Sequence, residues 1–328
     1  MRNKNDKKPR KFSKLGQNFQ YEDKQFEDLR SLTTEYKVDT KIDKNNVFNI
    51  IDSTESRIIK APRKICSYIA RISKRRRKKD GNENAKIKPY NIIEVRDVSK
   101  CYVSGDSIIK VLKHVNIEIK RGEIVLILGV SGGGKSTLLN LISGLDKPTR
   151  GNIIINDINL PYYSDRFLNR FRRENVSFIF QNYNLLENLN AYDNVMTGAW
   201  LQKDPKRRVD LTELFRQYEM IDEINKFPSQ MSGGQQQRVS IMRALSKNAP
   251  IIFADEPTGA LDEKTTRIVL NSLYDANDKW GTTVIMVSHN PSMVAMCHRV
   301  IHIDKGVITK IDVNPAPLHP DEIGLYNE

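Results

Sequence analysis

The stretch Ile124-Val125-Leu126-Ile127-Leu128-Gly129-Val130-Ser131-Gly132-Gly133-Gly134-Lys135-Ser136-Thr137 joins five apolar residues to a glycine-rich turn that opens on Lys-Ser-Thr. The apolar run, closed by glycine, reads as a short buried strand, and Leu138–Leu141 continues as helix. Gly129, Gly132, Gly133 and Gly134, with Ser131 among them, let backbone N–H groups turn toward an anion, and the helix N-terminus adds its dipole. The spacing from Gly129 to Gly134-Lys135-Ser136 is that of a phosphate-binding loop in its strand–loop–helix setting. It assigns Lys135 to the β- and γ-phosphates of a nucleotide, Ser136 to Mg²⁺ and Thr137 to the α-phosphate.

Downstream, Ile251-Ile252-Phe253-Ala254-Asp255-Glu256 is a second buried strand with two carboxylates at its end. Beside a phosphate-binding loop, Asp255 is placed to hold Mg²⁺, and Glu256 to polarise an attacking water as general base. Strand-like runs occur at Ile92–Val95, Ile108–Leu112, Val115–Ile119, Ile153–Ile155, Val176–Phe180, Thr283–Val287 and Val300–Ile303. The early ones cluster without helices between them, and the later ones alternate with helical stretches. The expected fold is α/β, an antiparallel β subdomain feeding a core with a central parallel sheet. Strand signals vanish from Asn182 to Gln230, and Leu211–Ile224 has helical periodicity, which suggests an inserted helical arm over about 182–231.

A third motif, Met231-Ser232-Gly233-Gly234-Gln235-Gln236-Gln237-Arg238, precedes a helix through Arg243-Ala244-Leu245. Ser232 and the Gly233–Gly234 backbone form a second phosphate cradle in a chain that already has one. Here the chain resembles the ABC ATPases, whose signature is L-S-G-G-Q, and residues 91–312 fit that family throughout. The resemblance implies ATP and Mg²⁺ as cofactors. It also implies a head-to-tail dimer, a homodimer or a pairing with a related ATPase subunit, in which Ser232, Gly233, Gly234 and Gln235 serve the ATP of the other subunit. Tyr102 matches the aromatic that stacks on adenine, and Gln181 the glutamine that senses Mg²⁺ and links to a membrane permease. Asp262 matches the loop that touches the opposite subunit, and His289 the γ-phosphate histidine. His114, His298 and His302 have no such match and read as structural.

Phe180-Gln181-Asn182-Tyr183-Asn184-Leu185-Leu186 and Ala254-Asp255-Glu256-Pro257-Thr258-Gly259-Ala260-Leu261-Asp262 are most similar to the lipoprotein-release, macrolide-export and cell-division permease group. Departures are Met231 for leucine, Val130 for proline, Gly133 for serine and Asn290 for aspartate. The implied function is an ATP-hydrolysing subunit that powers export or mechanical coupling through a permease at the cytoplasmic face of the membrane. An ABC ATPase acting on nucleic acid or ribosomes is the alternative. Only 97 positions separate Lys135 from Ser232, which leaves no room for the coiled coil of repair-type members, and there is one cassette rather than two.

The net charge of +13 is confined to residues 1–90, which hold 25 Lys+Arg and 12 Asp+Glu, whereas the remaining 28 of each sign cancel. Residues 1–90 therefore read as a flexible basic extension, 91–312 as the ATPase domain and 313–328 as a tail. Within the extension, Ile58, Ile65, Tyr68, Ile69 and Ile72 recur near helical spacing ahead of Lys74-Arg75-Arg76-Arg77-Lys78-Lys79. This stretch reads either as a solvated charged tail with transient helix, as an amphipathic helix over 57–79 able to lie on anionic lipid, or, with no stacking aromatics among the charges to favour it, as a nucleic-acid-binding segment. Cys66, Cys101 and Cys297 follow no metal-ligand spacing, and no apolar run approaches the roughly 20 residues of a membrane span. With charge from Arg2 onward and no apolar run behind it, a secretory signal peptide is not expected.

Overall fold

The computed structural model describes residues 41–259 and 261–324. Helix α1 (Val47–Ser53), strand β1 (Ile58–Lys60) and helix α2 (Arg63–Lys74) precede the long hairpin β2 (Asn91–Ser104) and β3 (Ser107–Lys120). Then follow β4 (Ile124–Leu128), α3 (Lys135–Ile142), β5 (Arg150–Ile155), β6 (Ile158–Asn159), α4 (Asp165–Asn175) and β7 (Val176–Ile179). The remaining elements are α5 (Ala191–Ala199), α6 (Leu211–Gln217), α7 (Gly233–Ser246), β8 (Ile251–Asp255), α8 (Glu263–Trp280), β9 (Thr283–Ser288), β10 (Arg299–Asp304) and β11 (Val307–Val313).

Two sheets result, as the alternation of motifs requires. One is antiparallel, in the order β1-β3-β2-β5-β6, and the other runs β11-β10-β4-β9-β8-β7. Neighbouring strands from β10 to β7 pair in parallel, and β11 closes the edge as an antiparallel hairpin on β10. Parallel strands covered on both faces must be apolar throughout. Accordingly β4, β8 and β9 are buried along nearly their whole length. The expected strands at Ile108–Leu112 and Val115–Ile119 are one continuous β3, in which His114 takes a positive φ of 48°. The arm contains α5 and α6 and no strand among its described residues, but α6 ends at Gln217, short of Ile224. Glu219 follows with a φ of 53°, a left-handed turn that stops the helix.

The N-terminal expectation needs correction. Residues 1–40 lie outside the described residues, whereas residues 41–90 are not loose. Strand β1 adds to the edge of the antiparallel sheet, pairing Ile58, Ile59 and Lys60 with Ile109, Ile108 and Ser107 of β3. The helix within the expected 57–79 span is confined to α2, where Pro62 sets the start and Arg75 is extended. Its apolar stripe is not turned to solvent. Ile65, Cys66 and Ile69 pack with Val47, Ile51, Ile59, Cys101 and Ile108 in a satellite core. Composition misled because the segment carries too little apolar surface to fold by itself, yet enough to cover one face of a sheet already made. Burial of Ile65 and Ile69 also removes the apolar half of the lipid-binding expectation. The tail as far as residue 324 is tied down as well: Arg267 on α8 donates to the Pro320 and Ile323 carbonyls, and Ile323 is buried.

Ile69→Ala should destabilise the chain by about 2–5 kcal/mol, the usual cost of a buried Ile-to-Ala truncation, read as a fall in the urea midpoint. An unchanged midpoint would place α2 outside the folded unit.

Candidate nucleotide-binding site

The glycine loop follows β4 where its neighbour β9 also ends, with Leu128 paired to Ser288 on one side and, on the other, to His302, two residues before the end of β10. Backbone crowding explains its composition. A Cβ on Gly129 would stand 2.1 Å from the Ile303 carbonyl oxygen. One on Gly134, whose φ is +105°, would stand 2.9 Å from a Leu112 methyl. Gly133 leaves 3.0 Å to the Val130 carbonyl, so the serine common at this position would be tight here. Lys135 is buried and donates to the Gly129 and Val130 carbonyls at 2.8 and 3.1 Å, folded back into the cradle. Ser131 and Gly132 are exposed on its rim, and Thr137 occupies the first turn of α3.

Across from the loop, the Ser136 hydroxyl donates to Asp255 Oδ1 at 3.1 Å. Burial, reinforced by the charge of Glu256, pushes the Asp255 carboxyl up to about 6, against the Ser136 hydrogen bond and the charge of Lys135. A buried carboxylate beside a hydroxyl is a hard oxygen pair that fits Mg²⁺, which would offset the burial cost. No cluster of three His, Cys, Asp or Glu side chains able to hold a metal occurs among the described residues, so phosphate and water oxygens would supply the rest. Glu256 turns away from the strand at a φ of 49°, its N–H bonded to the Val287 carbonyl. One of its carboxylate oxygens lies 3.1 Å from His289 Nδ1. Asn290, where aspartate is usual, still caps the next turn by accepting from the Ser292 N–H at 2.9 Å.

The other expected residues lie apart from this cluster. Gln181 is exposed just beyond β7, whose Ile179 pairs with Ala254, so it flanks the strand end that carries Asp255. The Tyr102 hydroxyl donates to Asp146 at 2.8 Å, and the buried ammonium of Lys100 lies 4.7 Å from the ring centroid. Ser232 and Gln235 form a reciprocal capping box at the start of α7: the Ser232 hydroxyl accepts from the Gln235 N–H, and the Gln235 amide oxygen from the Ser232 N–H. Ser232 and Gly233 are exposed, and Gly234 has open space at its Cβ position. Asp262 caps α8 through the Thr265 N–H and hydroxyl, which hold its carboxyl below the usual range. Two glycine-rich helix N-termini thus stand on one chain, one beside Asp255 and Glu256 and one without such carboxylates.

The sequence reading missed Gln237. It is buried, and its amide donates to the Pro257 carbonyl, which ties the helix behind Ser232 to the turn behind Glu256. Its place in a run of three glutamines hid it, because only burial separates it from Gln235 and Gln236.

The "ABC transporter" family model matches residues 112–259, from the hairpin through Glu256. The uncharacterized ABC transporter ATP-binding protein MJ0796 of Methanocaldococcus jannaschii is 41% identical over 226 residues, which are 67% of this chain and 96% of that one. The chain belongs to the ABC transporter ATP-binding proteins. A dimeric structure of MJ0796 in a post-hydrolysis state with ADP and Pi aligns with a TM-score of 0.63 at 38% identity, covering 68% of this chain and 98% of that one. The bacitracin export ATP-binding protein BceA of Halalkalibacterium halodurans is 40% identical, over 66% of this chain and 87% of BceA. The putative ABC transporter ATP-binding protein MG065 of Mycoplasma genitalium is 40% identical over 73% of this chain. The chain spans about half the length of that relative, 51%. In this ABC cassette no described helix is long and apolar enough to cross a membrane. All three cysteines are buried, and burial pushes the Cys101 and Cys297 thiols up to about 12.

Gly129→Ala should disable the site without unfolding the sheet, because its Cβ must displace either the loop or β10. A displacement of about 1 Å can cost about 10²-fold in rate, so ATP turnover should fall by that order while circular dichroism stays unchanged.

Proposed function

We propose that this chain binds ATP with Mg²⁺, hydrolyses it as one half of a dimer, and thereby drives a membrane permease. The carrying observation is the Glu256 carboxylate, poised beside the Ser136–Asp255 pair and 3.1 Å from His289. Lys135 would exchange the Gly129 and Val130 carbonyls for β- and γ-phosphate oxygens, and Tyr102 would meet adenine. Mg²⁺, held by Ser136 and Asp255 with Gln181 nearby, would neutralise charge on the phosphates. Glu256 would accept the proton of the attacking water, and His289 would contact the γ-phosphate.

The dimer follows from the exposed cradle at Ser232–Gly234. Supported by Gln235, it would close on the nucleotide of the other subunit, and Asp262 would touch that subunit. Closure on ATP and reopening after hydrolysis would move the arm and the permease docked near Gln181. Transport is the reading that MJ0796, BceA and MG065 support by their names. It places the chain peripherally on the cytoplasmic face of the membrane. Arg75, Arg76 and Lys78–Lys79, which stay outside the satellite core, could add electrostatic attraction to anionic lipid there.

Glu256→Gln should still bind ATP but turn it over about 10²–10⁴-fold more slowly, the usual worth of general-base assistance, and should accumulate as a closed dimer on gel filtration. A mutant ATPase rate equal to the parent's would remove Glu256 from this role. Mixing Lys135→Ala with Ser232→Arg chains should restore part of the hydrolysis that each lacks alone. The mixed dimer has one intact site, built from the loop of one chain and the signature of the other. Full activity of either variant by itself would overturn the shared site.

A further inference from the structure

The N-terminal segment reaches the phosphate-binding loop. Just before β1, Arg57 donates from Nη2 to the Gly132 carbonyl at 3.1 Å, across 75 positions of sequence. Its backbone is fixed on both sides of that contact. The Arg57 carbonyl accepts from the Lys110 N–H at 2.8 Å, Ala61 N–H donates to Asp106 at 2.9 Å, and Ile58 and Ile59 are buried. The Lys110 ammonium in turn binds the Ile51 and Thr54 carbonyls at the end of α1. Arg57 Nε is buried and has no hydrogen-bond partner among the described residues, so the guanidinium is committed to this position without being satisfied there. Desolvation works against its charge, and Asp304 in the adjacent hairpin supports it.

Gly132 is a place where such a contact has leverage. It is exposed and left-handed, with a φ of +70°, and no atom lies within 4 Å of its Cβ position. A loop that turns N–H groups toward an anion turns carbonyls outward, and a cation on an outward carbonyl restrains the peptide plane shared with the next N–H. Arg57 lies outside the residues matched by the family model, so the cassette does not by itself require it.

We propose that Arg57 is a positioning residue for the phosphate-binding loop, and that through it the docking of residues 41–74 and the binding of nucleotide favour each other. The proposal rests on the nucleotide-binding reading of the loop. Linkage makes the effect reciprocal: if the docked strand favours nucleotide, nucleotide must favour the docked strand by the same factor.

The test uses the full chain with ADP as probe. In the parent, ADP should slow hydrogen exchange at the Ala61 and Lys110 amides as well as in the loop. Arg57→Ala should abolish the protection at Ala61 and Lys110 and weaken ADP binding roughly 3- to 10-fold, the span of one intramolecular hydrogen bond. KM for ATP should rise by a similar factor with kcat little changed. Arg57→Lys, which keeps a cationic donor on a flexible stem, should recover most of the affinity. Loop protection without protection at Ala61 and Lys110 in the parent would overturn the coupling, and that measurement needs no variant. Parent-like ADP affinity in a folded Arg57→Ala would overturn the positioning role. Failure of the parent itself to bind ADP would instead sink the nucleotide reading on which the proposal stands.

Discussion

Leu128 pairs with Ser288 and with His302, and Asp255 pairs with Val287, so β4, β9 and β8 end within a residue of one another while β10 runs two residues further. The chemistry depends on that register. Loops leaving the carboxyl ends of parallel strands share one rim, and ligands of open α/β sheets bind along it. Because side chains alternate along a strand, a slip of one residue would turn Asp255 to the opposite face and part it from Ser136. The apolar uniformity of β4, β8 and β9 supplies the burial that holds the strands together. The helices and turns on either side, not the strands themselves, choose among registers.

Two ionisable groups are carried into this apolar setting. Lys135 satisfies its ammonium on loop carbonyls, and Asp255 relies on one hydroxyl while burial raises its pKa to about 6. Each is held by groups weaker than the ligand it would meet. A polyphosphate carrying a divalent cation would supply charge complementary to both groups. The cradle at Ser232 shows the opposite economy. Its capping box satisfies the helix end locally, with side chains of the same turn, so it can stand exposed without a partner.

The N-terminal segment shows how an edge strand is managed. Strand β3 would otherwise present an open edge at Ser107–Ile109, and β1 covers it while α1 and α2 close the apolar face behind. The same three-residue strand brings Arg57 to Gly132. An element recruited to protect a sheet edge thus reaches the loop on which the site is built.

The strand–loop–helix at 124–141, the Asp255–Glu256 strand end and the Ser232 turn were all legible in sequence, because each is local. Strand periodicity, glycine at left-handed positions and a capping pattern act over a few residues, and these residues obey them. Gln237, Arg57 and the satellite core were not legible. A buried glutamine looks like its half-buried neighbours, and a basic, apolar-poor stretch has the composition of a loose tail whether or not a sheet is waiting for it. Burial, pairing partners and the approach of Arg57 to Gly132 depend on contacts between residues far apart in sequence. Those contacts exist only once the two sheets have brought their edges and strand ends together, and so the tertiary structure alone decided them.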